Sequence, residues 1–290
     1  MSYLIIVNPH AGNKEHKSIT NRLTSMLDEH NKQYHIRYTT KAGDAQHFAQ
    51  TAEKKTIIVL GGDGTINEVI NGIMSNKTIK PRLAIIPIGT SNMLARSLRI
   101  PKNIQKAIHI IAENRRKDLD LGFISDERKR YFTIGCGIGL DAVAYKNVEP
   151  KIKKIFGEIA YPISFIKTIF NYEPKELLVK TDNHEEKAYY VLVLNTVKFT
   201  HFLELVKKSS YNNGYLDVLL FTKKDIISQF KYLLGILTKQ HIRFDDVKFL
   251  KTKKLEIFSD EKVMLHADAE IIGSTPVKIE VVENAIEVVC

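Results

Sequence analysis

The sequence predicts an α/β chain with a doubly wound parallel sheet in its first part and a separate β-rich domain in its second. Three observations carry this. Over the first hundred-odd residues, short apolar runs alternate with segments whose apolar residues recur at helical spacing. After about residue 115, strand-like runs dominate and few helices interrupt them. Three apolar runs of the first part end in polar, glycine-bearing loops, and strand ends of a doubly wound sheet converge on one crevice. The expected domains are 1–120, with the C-terminal strand near 280–290 as a candidate to complete it, and 121–279.

In chain order, residues 4–7 form a buried-type strand stopped by Asn8-Pro9, and Ile19, Leu23, Met26 and Leu27 mark one face of a helix. Residues 35–38 read as a second strand, 45–52 as a short helix and 56–60 as the next apolar strand. The helix after it places Ile66, Val69, Ile70 and Ile73 at i, i+3, i+4 and i+7. Residues 83–88 form another strand, followed by a helix with Leu94 and Leu98 and one with Ile104, Ala107, Ile108 and Ile111. In the second part, strands are expected at 131–134, 177–180, 189–194, 216–221, 254–258 and 277–282. Two helices break the series, one over about 154–170 with a kink or break at Pro162, the other over 226–237 with Ile226, Phe230, Leu233 and Leu237 on one stripe. No internal repeat or low-complexity linker separates the parts, so the domains are expected to abut and leave a cleft suited to a ligand.

Composition narrows the partners. Of 290 residues 44% are hydrophobic and 26% charged, which is ordinary for a folded chain. Lys and Arg number 43 against 33 Asp and Glu, a formal charge of +10 that favours a phosphate-bearing ligand or an acidic membrane surface. Lysines cluster at Lys151, Lys153, Lys154 and at Lys251, Lys253, Lys254; a solvated face is the plain alternative. No aromatic-and-basic ladder suggests nucleic acid. Cys136 and Cys290 make neither a metal-spaced pair nor a disulfide framework, which fits a reducing cytoplasm. The N-terminus lacks a signal peptide, and no apolar run approaches the ~18 residues of a spanning helix, so contact with a bilayer would be transient.

Chemistry concentrates in the loops. Gly61-Gly62-Asp63-Gly64-Thr65 lies between a strand and a helix, where glycines let backbone N–H groups approach a ligand and the helix N-terminus adds free donors. That suits phosphate, and Asp63 would then act through Mg²⁺; a capped tight turn is the plain alternative. No Gly-Lys-Ser/Thr follows, and the spacing is not that of a Rossmann turn. Gly89-Thr90-Ser91-Asn92 and the Asn8–Asn13 loop close two further strands.

With Asn67-Glu68, Asp268-Ala269-Glu270 and the glycine-rich 135–139 segment followed by Asp141-Ala142, these motifs resemble the diacylglycerol kinase catalytic family over nearly the whole chain. The resemblance is greatest to its soluble bacterial lipid kinases, relatives of the sphingosine and ceramide kinases. It implies a nucleotide-binding α/β domain, a sandwich-like second domain, ATP between them, and a role in phospholipid metabolism. It further implies that Asn8, Gly12, Gly61, Gly62, Asp63, Gly64, Thr65, Ile66, Asn67, Gly89 and Asn92 hold phosphates and metal, with Thr40 and Thr90 adding nucleotide contacts. Asp268 or Glu270 would take the proton from the lipid hydroxyl; one residue apart at an apparent strand end, they are expected to share a face.

This sequence departs from the family pattern at Met93, where many members have Asp, and at Ala269, where Gly is usual and a positive φ would cost about 1 kcal/mol. At the family's structural magnesium site, Asn213-Gly214-Tyr215 replaces an Asp-Gly pair, leaving Asn213 and Tyr215 without the acidic ligand. His10, His47 and His266 lack metal-ligand spacing and read as surface or core residues, although His266 lies near enough to Asp268 to tune it. Two rivals stand beside the lipid kinase. NAD kinases share the Gly-Gly-Asp-Gly-Thr element, and an inactive nucleotide- or lipid-binding member would fit the departures.

Overall fold

Buried aliphatic runs set the parallel sheet of the N-terminal half. β1 (Ser2–Val7), β3 (Thr56–Gly61) and β4 (Arg82–Pro87) are covered almost end to end, whereas the edge strand β2 (Gln33–Tyr38) is polar and largely exposed. The intervening helices are α1 (His16–Glu29), α2 (Asp44–Gln50), α3 (Asp63–Ser75), α4 (Met93–Ser97) and α5 (Ile104–Glu113). The order is β2-β1-β3-β4, all parallel, with Val7 opposite both Tyr38 and Leu60 and Gly61 opposite Pro87. The direction of winding therefore reverses at β1, and the crevice beyond its C-terminal end is where a doubly wound sheet takes a ligand. Ile5, Val7, Leu23, Leu27, Ile58, Leu60 and Ile86 form a core beside the sheet.

The computed structural model describes residues 2–12, 16–148, 160–196, 205 and 211–290. The chain divides into two units, Met1–Asp120 with Glu283–Cys290, and Leu121–Val282. Between them the later elements are β5 (Arg116–Ile124), β6 (Arg130–Phe132), β7 (Gly135–Ile138), α6 (Leu140–Lys146), α7 (Ala160–Ile169), β8 (Leu177–Thr181), β9 (Glu185–Ala188) and β10 (Tyr190–Leu194). Then come β11 (Leu216–Phe221), α8 (Ile226–Leu237), β12 (Val247–Thr252), β13 (Lys254–Phe258), β14 (Met264–Ala267), β15 (Glu270–Ser274) and β16 (Val277–Val289).

In the second unit an antiparallel sheet runs β12-β11-β10-β7-β14-β15, and β13 pairs with both β8 and the first half of β16. Val191, Val193, Val218, Leu220, Ile257, Leu265 and Ile279 from both sheets fill one core, which makes the unit a β-sandwich. The other face of the six-stranded sheet packs Leu192, Leu194, Leu219 and Phe221 against Tyr232 and Leu233 of α8. β10 and β11 are consequently buried on both faces, β10 as an unbroken apolar run and β11 as a run interrupted by the buried Asp217. In the first unit, the last residues of β16 lie parallel to β4, with Val288 opposite Leu83.

Several expectations shift. The strand expected at 277–282 continues to Val289, and Tyr189 falls outside both β9 and β10. Pro162 lies in the first turn of the described part of α7; residues 154–159 of that expected helix, and the Lys151–Lys154 cluster, lie outside the described residues. In α8 the core side is Tyr232 and Leu233, while Ile226 and Leu237 of the expected stripe are exposed. The helix is apolar nearly all round, so periodicity could not choose its inner face.

Candidate active site

Four loops at the C-terminal ends of β1 to β4 meet in one pocket of about 460 Å³, a volume suited to a small ligand. Asn8, His10, Ala11 and Gly12 line it from β1, and Thr39 to Ala42 from β2. Gly62, Gly64, Thr65 and Glu68 line it from β3 and α3, and Gly89 from β4. Short polar ties fix the loops to one another. Asn8 Nδ2 donates to Thr65 Oγ1 at 2.8 Å, and the Met93 N–H donates to Asp63 Oδ1 at 2.6 Å. The backbones also touch. Gly12 has φ +67°, and a Cβ there would lie 1.9 Å from the Ile88 carbonyl oxygen; a Cβ on Gly89 would lie 2.5 Å from Gly62 Cα.

α3 begins at Asp63, with Gly62 as its N-cap in extended conformation and no side chain capping it. Its first intrahelical bond runs from the Ile66 N–H to the Gly62 carbonyl, so the N–H groups before Ile66 stand ahead of the ladder at the positive end of the helix. Asn92 is buried in a left-handed conformation; its Nδ2 donates to the Gly89 carbonyl at 2.6 Å and its buried Oδ1 has no hydrogen-bond partner. A pocket walled by backbone amides, with an orphaned acceptor behind it, fits a phosphate-bearing ligand with a donor-rich moiety.

Not every expected residue faces this pocket, and Asp63 and Asn92 stand beside its lining rather than in it. Ile66 is a core residue, and the Asn67 amide oxygen accepts from Asn71 Nδ2. Gly61 is buried under Thr65, and Thr90 is exposed outside the lining. Thr40 does line it, with its N–H and hydroxyl both donating to Asp44 Oδ2 at 2.7 and 2.8 Å. Those bonds, the Thr40 backbone one first, hold the Asp44 carboxyl below its usual range. Lys41, His10, Thr39 and Glu68 also line the pocket and were missed in the sequence. The signal for Lys41 was available: β2 is a fourth parallel strand whose end must open on the same side. Met93, the departure from the family pattern, has its side chain in the core and offers Asp63 its N–H instead.

In the second unit, Asp268 stands on the turn from β14 to β15 and Glu270 opens β15. Asp268 has φ 48° and Ala269 φ 68°, two successive left-handed residues, so the alternation of a strand does not reach them. The two acids therefore part company instead of sharing a face. Asp268 Oδ2 accepts from the Thr133 N–H (2.7 Å) and hydroxyl (2.9 Å), and Oδ1 from the Ile134 and Gly135 N–H groups (2.8 and 3.1 Å). Glu270 is 61% exposed and pairs with the Arg130 guanidinium. His266, nearly fully buried, holds Asp141 Oδ2 at 2.6 Å from Nε2 and accepts the Ala269 N–H at Nδ1 (3.3 Å). It thus braces the turn. Asn213 Oδ1 accepts the Tyr215 N–H at 3.0 Å, and the Tyr215 side chain is exposed beneath Lys253. No group of three or more His, Cys, Asp or Glu side chains among the described residues could hold a metal alone.

Two family models match the chain: a diacylglycerol kinase catalytic domain over residues 2–124, and a YegS C-terminal NAD kinase beta sandwich-like domain over residues 135–290. A diacylglycerol kinase of Bacillus subtilis (strain 168) is 29% identical over 278 residues, covering 94% of this chain and 90% of the relative. The crystal structure of a diacylglycerol kinase from Bacillus anthracis str. Sterne has a TM-score of 0.75 at 23% identity, covering 99% of this chain and 96% of its own. An NAD kinase from Archaeoglobus fulgidus in complex with ATP shares the fold at a TM-score of 0.53 and 11% identity, over 99% of this chain and 93% of its own.

Proposed function

The chain belongs to the diacylglycerol kinase catalytic family and is an ATP-dependent lipid kinase, and on that footing we propose that its acceptor is a diacylglycerol, that Mg²⁺ assists, and that Glu270 is the base. The nucleotide phosphates are held by the backbone N–H groups at the start of α3, by Gly12, Gly62 and Gly89, which leave room for them, and by the Lys41 ammonium. Asp63, at the start of α3 beside the lining residues Gly62 and Gly64, would hold Mg²⁺ through the carboxylate that also accepts the Met93 N–H, and the ion when bound would neutralise charge on the phosphates. Asn213 and Tyr215 do not fit a second metal by themselves, because the Asn213 oxygen is turned onto the Tyr215 N–H and the Tyr215 side chain carries no anionic oxygen.

One observation carries the assignment of the base. Both oxygens of Asp268 are occupied by four donors from residues 133–135, whereas the Glu270 carboxylate is exposed and, among the described residues, pairs with Arg130. Glu270 accepts the proton of the lipid hydroxyl, the freed oxygen bonds to the γ-phosphorus, and the bond from that phosphorus to the bridging oxygen breaks to release ADP. Thr133, Asp268 and His266 hold the hairpin that presents Glu270. We further propose a cytoplasmic enzyme that visits an anionic bilayer transiently. The excess of basic residues supports this, and no described helix is long and apolar enough to cross a membrane.

The reading is tested by following phosphate from labelled ATP into lipid hydroxyl acceptors in anionic mixed micelles, beside NAD, with and without Mg²⁺. Label in diacylglycerol that depends on Mg²⁺ is the expected result. Label in NAD would hand the chain to the rival enzyme, and ATP binding without transfer to any acceptor would mark an inactive binder.

A further inference from the structure

Apolar surface on this molecule is not scattered. Of the eleven large apolar side chains exposed among the described residues, seven lie within residues 166–170 and 226–242, on or beside α7 and α8. α8 buries Tyr232 and Leu233 against the six-stranded sheet. Its other side carries Ile227, Phe230, Leu234 and Leu237 at i, i+3, i+7 and i+10, with Ile227 78% and Leu234 60% exposed. Phe170, 63% exposed at the end of α7, meets Phe230 edge-on with ring centroids 5.6 Å apart, so the two helices contribute to one face. Phe230 is half-buried against the core, but the exposed Ile227, Leu234 and Leu237 are not part of it, so folding alone does not account for them. An exposed patch of this kind marks an interaction surface.

The charges around it select the occupant. Lys223 and Lys224 are exposed just before α8, and Lys239 and Arg243 just after it, roughly one helix length of 18 Å apart. Lys167 is exposed on α7. The exposed carboxylates in the same stretch are Asp225 and Asp245, and Asp225 caps α8 through the Ser228 N–H at 2.9 Å. Lys231 and Asp246 pair with each other at 2.7 Å. An apolar stripe with long cationic side chains at both ends is the pattern of a helix lying in a membrane interface, where the stems stay apolar and the ammonium groups reach lipid phosphates.

We propose that the outer face of α7 and α8 docks the enzyme on an anionic phospholipid bilayer, with Ile227, Leu234 and Phe170 entering the acyl boundary. The proposal rests on the lipid-kinase reading, since a diacylglycerol acceptor lies dissolved in that bilayer. A second copy of this chain, the other candidate for an apolar face, would gain nothing from two pairs of like charges brought together across a two-fold axis.

The test is cosedimentation of the full chain with phosphatidylcholine vesicles with and without phosphatidylglycerol, comparing wild type, Ile227→Ser/Leu234→Ser and Lys223→Gln/Lys239→Gln. Wild type is expected to bind the anionic vesicles and to release as salt rises. The apolar double variant should bind them about tenfold more weakly or worse, and the lysine variant should lose the preference for phosphatidylglycerol. Phosphorylation of a short-chain diacylglycerol dispersed in detergent should stay within about twofold in both variants, which also reports that they fold. Binding of the apolar variant equal to wild type would overturn the proposal. So would wild type that ignores vesicles but sediments as a dimer that the apolar variant breaks. Vesicle binding without phosphorylation of any lipid, by contrast, would leave the docking face in place and remove the kinase reading.

Discussion

The cradle of the first unit and the hairpin of the second are built from opposite materials. The cradle is mostly backbone: Gly12 and Gly89 pack where no Cβ would fit, Gly62 where one would press on Gly89, and the start of α3 offers its own N–H groups. The hairpin is side-chain charge: Asp268 gathers four donors, His266 grips Asp141, and Glu270 meets Arg130. A phosphate carries its own charge and asks for donors at fixed places, which a rigid main chain supplies. A proton acceptor must be a side chain, and it is useful only if its neighbours leave it unspent. Within the hairpin the same contrast recurs between two acids one residue apart, one consumed by structure and the other open.

The largest effect should come from the open acid. Glu270→Gln should lower kcat by about 10²–10⁴-fold while the thermal midpoint stays close to wild type, as read by single-turnover kinetics beside a calorimetric scan. Asp268→Ala should do the reverse in kind: it strands the N–H groups of Thr133, Ile134 and Gly135, and urea unfolding should show a loss of about 2–4 kcal/mol. If Asp268→Ala instead melted like wild type yet lost turnover, the two roles would have to be exchanged. On the cradle side, Gly89→Ala must displace backbone at Gly62, and calorimetric titration should find ATP bound about 10- to 100-fold more weakly. Smallest of all, Ala269→Gly removes a left-handed alanine and should add about 1 kcal/mol of stability with no change in the ATP affinity.

The first unit was legible because each of its strands is a short aliphatic run ended by a polar loop, so period and punctuation agreed. The glycine loops were legible for the same reason the cradle works: close backbone approach demands glycine, and glycine shows in a sequence. Other strands stayed hidden. β7 reads Gly-Cys-Gly-Ile with no apolar pattern of its own, and β5 opens on the charged Arg-Lys-Asp ahead of the short alternation of Leu119, Leu121 and Phe123; β7 is a strand because β10 and β14 flank it. The orientation of Asp268 was equally hidden, since it depends on amides of residues 133–135, far off in the chain. Asp120 is a similar case, a buried carboxylate in β5 that accepts the Asn284 N–H at 2.8 Å. Nothing near either residue in sequence announces the pair.

Strand β16 has a consequence for how the protein is made. Its last residues give β4 its second neighbour beside β3, so the first unit's sheet receives a strand from residues 283–290. During synthesis, everything needed for the cradle leaves the ribosome early, yet β4 keeps an unpaired edge until residues 283–290 emerge. A fragment cut at residue 120 would carry all four loops and still present that open edge to any passing strand, and its natural failure would be aggregation before unfolding.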